Sequence, residues 1–95
     1  MPSGEPLIPR DDPLLALAIL SGRGGAAVHA VFLGYAVGRD EAGGREAGEE
    51  LVAAGLARKT SRGYKLTDEG KARTHDEYER RMAGIDRHWD RVGRD

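Results

Sequence analysis

Leu51 to Ala72, LVAAGLARKTSRGYKLTDEGKA, decides how this 95-residue chain is read. The apolar run Leu51-Val52-Ala53-Ala54 ends at Gly55, which suits the left-handed position just past a helix C-terminus. Leu56–Thr60 and Tyr64–Thr67 flank Ser61-Arg62-Gly63, a turn with glycine, and so predict a short two-stranded ribbon. Thr67 is placed to cap the next helix, with Asp68 and Glu69 in its first turn, where the helix dipole favours acids. Between Arg58 and Lys65 lie Arg58, Lys59, Arg62 and Lys65 and no acid. A cationic hairpin between two helices points to contact with a polyanion. Cations on short exposed strands also block edge pairing, which is the plainer explanation.

Outward from this stretch, Asp12-Pro13 predicts a helix start, with Asp as cap and Pro in the first position. Leu14 to Leu20 is apolar on every face, as in a helix buried all round. A second apolar helix is predicted over Ala26 to Val37, with Val28, Val31, Phe32 and Tyr35 at helical spacing. Gly34 either weakens it by roughly 1 kcal/mol or permits close packing. The stretch GRDEAGG, residues 38–44, reads as a flexible connection. A third helix follows over Arg45 to Ala54, with Ala47, Leu51 and Ala54 inward.

The last helix is predicted from Asp68 to about Val92. Its His75, Tyr78, Met82, Ile85, Trp89 and Val92 are spaced three, four, three, four, three, which matches the a and d positions of a heptad. Glu69–Arg73, Asp76–Arg80 and Glu77–Arg81 are acid-to-base pairs at i,i+4. An apolar seam on a helix that outruns a small core calls for a partner, and the expectation is a homodimer through those six residues.

The pattern A-G-L-A, basic hairpin, Y-K-L-T-D-E-G resembles the wing and following helix of winged helix-turn-helix proteins, with MarR-like and PadR-like bacterial transcription regulators the nearest types. The resemblance implies a mainly α fold with a small β-hairpin and a long C-terminal helix. Residues 1–11 would be an N-terminal arm and residues 12–67 the winged-helix core, with the wing at 56–67. Residues 68–95 would be the dimerisation element. It also implies double-stranded DNA as partner and a role as a small dimeric transcription regulator. Arg58, Lys59, Arg62 and Lys65 would meet phosphates or the minor groove, with Arg39 and Arg45 supporting the helix end. The third helix would be the recognition helix, yet its first turns set Glu46, Glu49 and Glu50 against Arg45 alone. Affinity for duplex DNA rests on cation–phosphate contacts, so these acids oppose insertion. The rival expectation is therefore a protein-interaction module that uses the acidic third helix and the apolar C-terminal helix on a protein partner. A third is a small-molecule pocket between the apolar helices.

Composition bounds the rest. Fifteen Lys and Arg stand against sixteen Asp and Glu, a net charge of −1, so any polyanion site must arise from local clustering. No cysteine is present, which leaves neither disulfides nor thiolate metal sites. The first residues, MPSGEPLIPRDDP, do not read as a signal peptide. Leu14 to Leu20 is too short to span a bilayer, and cytoplasmic residence is the expectation. His29, His75 and His88 form no metal-ligand spacing. His29, in an apolar context, reads as a packed core residue. Ser21 and Ser61 read as a helix-end and a turn residue with no nucleophile motif around them. The expectation is a protein that is not an enzyme and holds no metal or cofactor.

Overall fold

The computed structural model describes residues 10–93, and side chains as far as residue 83. It is mainly helical. The described residues form four helices, α1 (Pro13–Ser21), α2 (Ala30–Ala36), α3 (Glu41–Ala53) and α4 (Asp68–Gly93), with an antiparallel hairpin of β1 (Ala57–Thr60) and β2 (Gly63–Leu66) packed on them by one face. No described helix is long and apolar enough to cross a membrane.

Helix α1 begins as its sequence dictates. The Asp12 carboxylate accepts from the Leu15 N–H at 3.1 Å, and Pro13 occupies the first turn, where no N–H is needed. Its apolar faces are taken up all round: Leu15, Ala16, Leu17 and Ala18 are buried, and Leu14, Ile19 and Leu20 pack on the same core. The core continues through Val28, Leu33, Ala47, Leu51, Leu56, Tyr64, Leu66 and Tyr78.

The second helix is shorter than its apolar spacing predicts. Residues 26–29 stay outside it because Val28 exchanges both backbone hydrogen bonds with Tyr64, each 2.8 Å, which adds an antiparallel bridge to the hairpin. His29 follows in extended conformation and caps α2, its Nδ1 accepting from the Val31 N–H at 3.1 Å. The side chain is exposed, so the expected core histidine is instead a surface cap. Phe32 and Tyr35 are also exposed, at 59% and 73%.

The third helix is longer than predicted. Asp40 caps it, accepting from the Gly43 N–H at 2.8 Å, and EAGG forms its first turn rather than a flexible connection. Gly44 of this turn and Gly34 of α2 both serve close approach of the two helices. A Cβ on Gly44 would lie 2.0 Å from the Ala30 carbonyl oxygen, and one on Gly34 would lie 2.1 Å from that of Asp40. Of Gly34's two readings, close packing is the one realised. Ala47 and Leu51 face inward as expected, but Ala54 is the exposed C-cap.

The exit from α3 follows the quoted stretch closely. Gly55 has φ +77°. The Leu56 N–H donates to the Leu51 carbonyl at 2.9 Å and the Gly55 N–H to that of Val52 at 3.0 Å, the paired bonds of a Schellman end. Thr67 then starts α4: its hydroxyl accepts from the Gly70 N–H at 3.2 Å and donates to the Gly55 carbonyl at 2.7 Å. Two ends of the hairpin are thereby tied to one residue.

Helix α4 packs against α1 and the end of β2. Tyr78 is 9% exposed and Met82 packs on the same core, so these two members of the expected dimer seam are used inside the chain. His75 is exposed. The side chains of Ile85, Trp89 and Val92, and His88 with them, lie outside the described residues. Glu69 pairs with Arg73 at 3.4 Å, and Glu77 holds both Arg80 and Arg81. Hydrogen bonds from Arg80 first and Arg81 second hold the Glu77 carboxyl below its ordinary range.

Candidate nucleic-acid interface

The hairpin register divides its side chains between two faces. Ala57 pairs with Leu66, Arg58 with Lys65, Lys59 with Tyr64 and Thr60 with Gly63. Partners across a strand pair share a face and neighbours along a strand alternate. Ala57, Leu66 and Tyr64 therefore point to the core, where all three are buried. Arg58 and Lys65 point the other way, side by side.

The turn that carries Arg62 is built by its neighbours. Thr60 Oγ1 donates to the Gly63 carbonyl at 3.0 Å and accepts from the Arg62 N–H at 3.1 Å. Gly63 sits at φ +133°, and a Cβ there would lie 2.2 Å from the Val28 carbonyl oxygen. Only glycine lets the hairpin tip begin this close to the Val28 bridge.

Tyr64 fixes the ribbon to α3. It is 2% exposed, and its ring covers Gly48, where a Cβ would lie 2.6 Å from the ring carbons. The phenol hydroxyl donates to the Arg45 carbonyl at 3.4 Å. Burial raises the Tyr64 pKa above its ordinary value, the Glu49 carboxylate adds to the rise, and Arg45 opposes it. The sequence identifies Tyr64 only as a strand residue. The signal that would have found its role is Gly48, a small residue on the inward face of α3 between Ala47 and Leu51.

The six cations expected to meet DNA fall into distinct settings. Arg58 and Arg62 are exposed and Lys65 is half-buried, and no carboxylate pairs with any of the three among the described residues. Lys59, on the face of Tyr64, reaches Glu49 of α3 at 3.9 Å. Arg45 pairs with Glu41 at 3.4 Å. Arg39 is exposed in the α2–α3 turn, its side chain lying over Gly43. Hairpin and α3 thus form one continuous surface through Lys59–Glu49 and Tyr64–Arg45, with Arg39 at the far end of α3.

The exposed face of α3 is acidic, carrying Glu41, Glu46, Glu49 and Glu50 with Arg45. Unpaired positive charge lies on the hairpin, and the negative charge lies on the helix beside it. Among the described residues, no group of three or more His, Cys, Asp or Glu converges to hold a metal ion. No known protein family, curated protein or solved structure matches this chain.

Proposed function

We propose that the chain is a winged-helix protein that binds duplex DNA mainly through its hairpin, as a small dimeric transcription regulator. One observation carries this reading: Arg58, Arg62 and Lys65 lie on a ribbon anchored to α3 through Tyr64, and among the described residues no acid pairs with them. The element order supports it as well, with α2 and α3 packed at a tight turn, the ribbon following as wing and a long helix after that. In this reading α3 is the helix next to the groove, but its acids keep it from deep insertion, and the wing supplies the phosphate contacts. Dimerisation through α4, by way of His75, Ile85, Trp89 and Val92, would set two wings on one duplex.

Each neutralised phosphate contributes about −0.9 to the slope of log K against log salt, so three wing cations give about −2.7 per chain. The test is binding of the purified protein to mixed duplex fragments at several salt concentrations. Replacing Arg62 and Lys65 with Ala should weaken binding across sequences and flatten the slope by about 1.8 per chain. Unchanged affinity and slope would reject the wing as the contact. A monomer by light scattering at tens of micromolar would reject the dimer.

The second reading is a protein-interaction module, favoured by the acidic exposed face of α3. It requires a stable complex with a basic protein surface in the absence of nucleic acid.

A further inference from the structure

A cleft of about 350 Å³ opens between the C-terminal half of α1, the loop after it, the end of β2 and α4. This volume lies at the small end of the range for ligand pockets. Its apolar lining comes from Ala18, Leu66 and Tyr78. Two residues of its lining carry hydroxyls, Ser21 Oγ and Tyr78 OH, that are buried and have no hydrogen-bond partner among the described residues. The residues are 7% and 9% exposed. A third hydroxyl of the lining, on Thr74, is satisfied, donating to the Gly70 carbonyl at 2.9 Å. Buried polar groups in folded proteins are nearly always paired, so two orphans in one cleft are a departure that asks for a function.

The charge at the cleft has one sign in excess. Arg23 and Glu79 pair at 3.0 Å and offset each other. Lys71 has no ion pair among the described residues. Its ammonium lies against Gly25, where a Cβ would come within 3.4 Å of Nζ, and Gly25 is held at φ +67°. The loop thus leaves room for Lys71 at the cleft.

We propose that this cleft binds a small organic anion with one apolar body and one acidic group. The apolar body lies against Ala18, Leu66 and the Tyr78 ring. A slight parting of α1 and α4 on binding lets the Ser21 and Tyr78 hydroxyls, closed off in the cleft as it stands, donate to its oxygens, and Lys71 meets the charge. A neutral compound of the same shape would forgo a charge-assisted hydrogen bond, which is worth about tenfold or more in affinity. This inference does not rest on DNA binding.

The test is amide chemical-shift mapping on the full ¹⁵N-labelled chain. The probes are hexanoate, benzoate and 2-naphthoate, each beside its neutral amide. The expected result is saturable shifts from at least one carboxylate, confined to residues 18–25, 66 and 71–78, with at least about tenfold weaker binding of the matching amide. Lys71→Gln should erase the preference for the anion. Tyr78→Phe should weaken carboxylate and amide alike while leaving the spectrum elsewhere unchanged. Three outcomes would overturn the proposal: no saturable shift from any probe at tens of millimolar, shifts centred elsewhere, or equal binding of acid and amide.

Discussion

Gly44→Ala tests the packing that sets α3 against α2 and hence the position of the hairpin beside it. The new methyl would start 2.0 Å from the Ala30 carbonyl oxygen, 2.5 Å from the Gly34 nitrogen and 2.8 Å from the Gly34 Cα. All three obstacles are backbone, so no rotamer change clears them. The gap to Ala30 must open to about 3.4 Å, and α2 and α3 must part by roughly 1.4 Å at this point. Overpacking of this kind costs about 1–3 kcal/mol, and rigid obstacles place it in the upper half of that range. Helix propensity opposes the loss by up to about 1 kcal/mol, since Ala is the better helix former. The net expectation is a loss of about 1–2 kcal/mol, or a fall in Tm of roughly 5–15 °C for a domain of this size. Thermal and urea unfolding followed by circular dichroism at 222 nm would measure it. Gly24→Ala is the control: nothing lies within 4 Å of its Cβ position and its φ is not in the left-handed region. It should leave stability unchanged or raise it by up to about 1 kcal/mol through the unfolded chain. A Gly44→Ala protein as stable as the parent, or more stable, would refute the close approach of the two helices.

The caps give a second measure: Asp12→Ala and Asp40→Ala should each lower stability by about 1 kcal/mol in urea unfolding. Tyr78→Phe and Ser21→Ala should each hold stability level or raise it by roughly 1 kcal/mol, because each removes a buried hydroxyl with no partner. A clear loss in either would mean that the hydroxyl is hydrogen-bonded after all. Tyr64 governs the alkaline side. Its native pKa is raised above the ordinary 10.0, first by burial and then by Glu49, so its neutral form is favoured in the fold. That contribution is complete below pH 10 and is lost as pH rises through the higher native value, because the unfolded chain gives up its proton first. Stability of the parent should therefore fall more steeply above pH 10 than that of Tyr64→Phe, and parallel curves would count against the burial of this phenol.

The ends of elements were the most legible part of the chain. Asp12-Pro13, Gly55 and Thr67 mark boundaries through local hydrogen bonding, and local chemistry survives whatever the rest of the chain does. The stretches misread are those where a distant segment decides. Residues 26–29 have helical apolar spacing, but Val28 gives its backbone to Tyr64, thirty-six residues on. The EAGG turn reads as loop because two glycines disfavour a helix. Its helix is held by the Asp40 cap and by the close contact with α2 that a glycine alone permits. The hairpin cations were legible as a cluster, but not their division by register into the pair Arg58 and Lys65 on one face and the exposed Lys59 on the face of Tyr64, beside Glu49. The α1–α4 cleft was illegible, because Ser21 and Tyr78 meet only once α4 has folded back on α1.

The acids of α3 bear on the duplex reading less heavily than their number suggests. Glu41 and Glu49 are already matched by Arg45 and Lys59, through pairs in which every side chain is half exposed or more. Exposed pairs of this kind are worth at most about 1 kcal/mol each and weaken with salt. A phosphate approaching the hairpin can therefore draw Lys59 and Arg45 away at small cost in pairing, although Glu41 and Glu49 then join Glu46 and Glu50 in opposing it. The salt slope separates the two arrangements. Contact by Arg58, Arg62 and Lys65 alone gives about −2.7 per chain, whereas recruitment of Lys59 and Arg45 gives about −4.5. In the second case Glu49→Gln frees Lys59 beforehand and strengthens binding at low salt without changing the slope. In the first, Lys59 stays out of the contact, and Glu49→Gln acts only through the general field of the surface, which falls away within about 10 Å at 0.1 M salt.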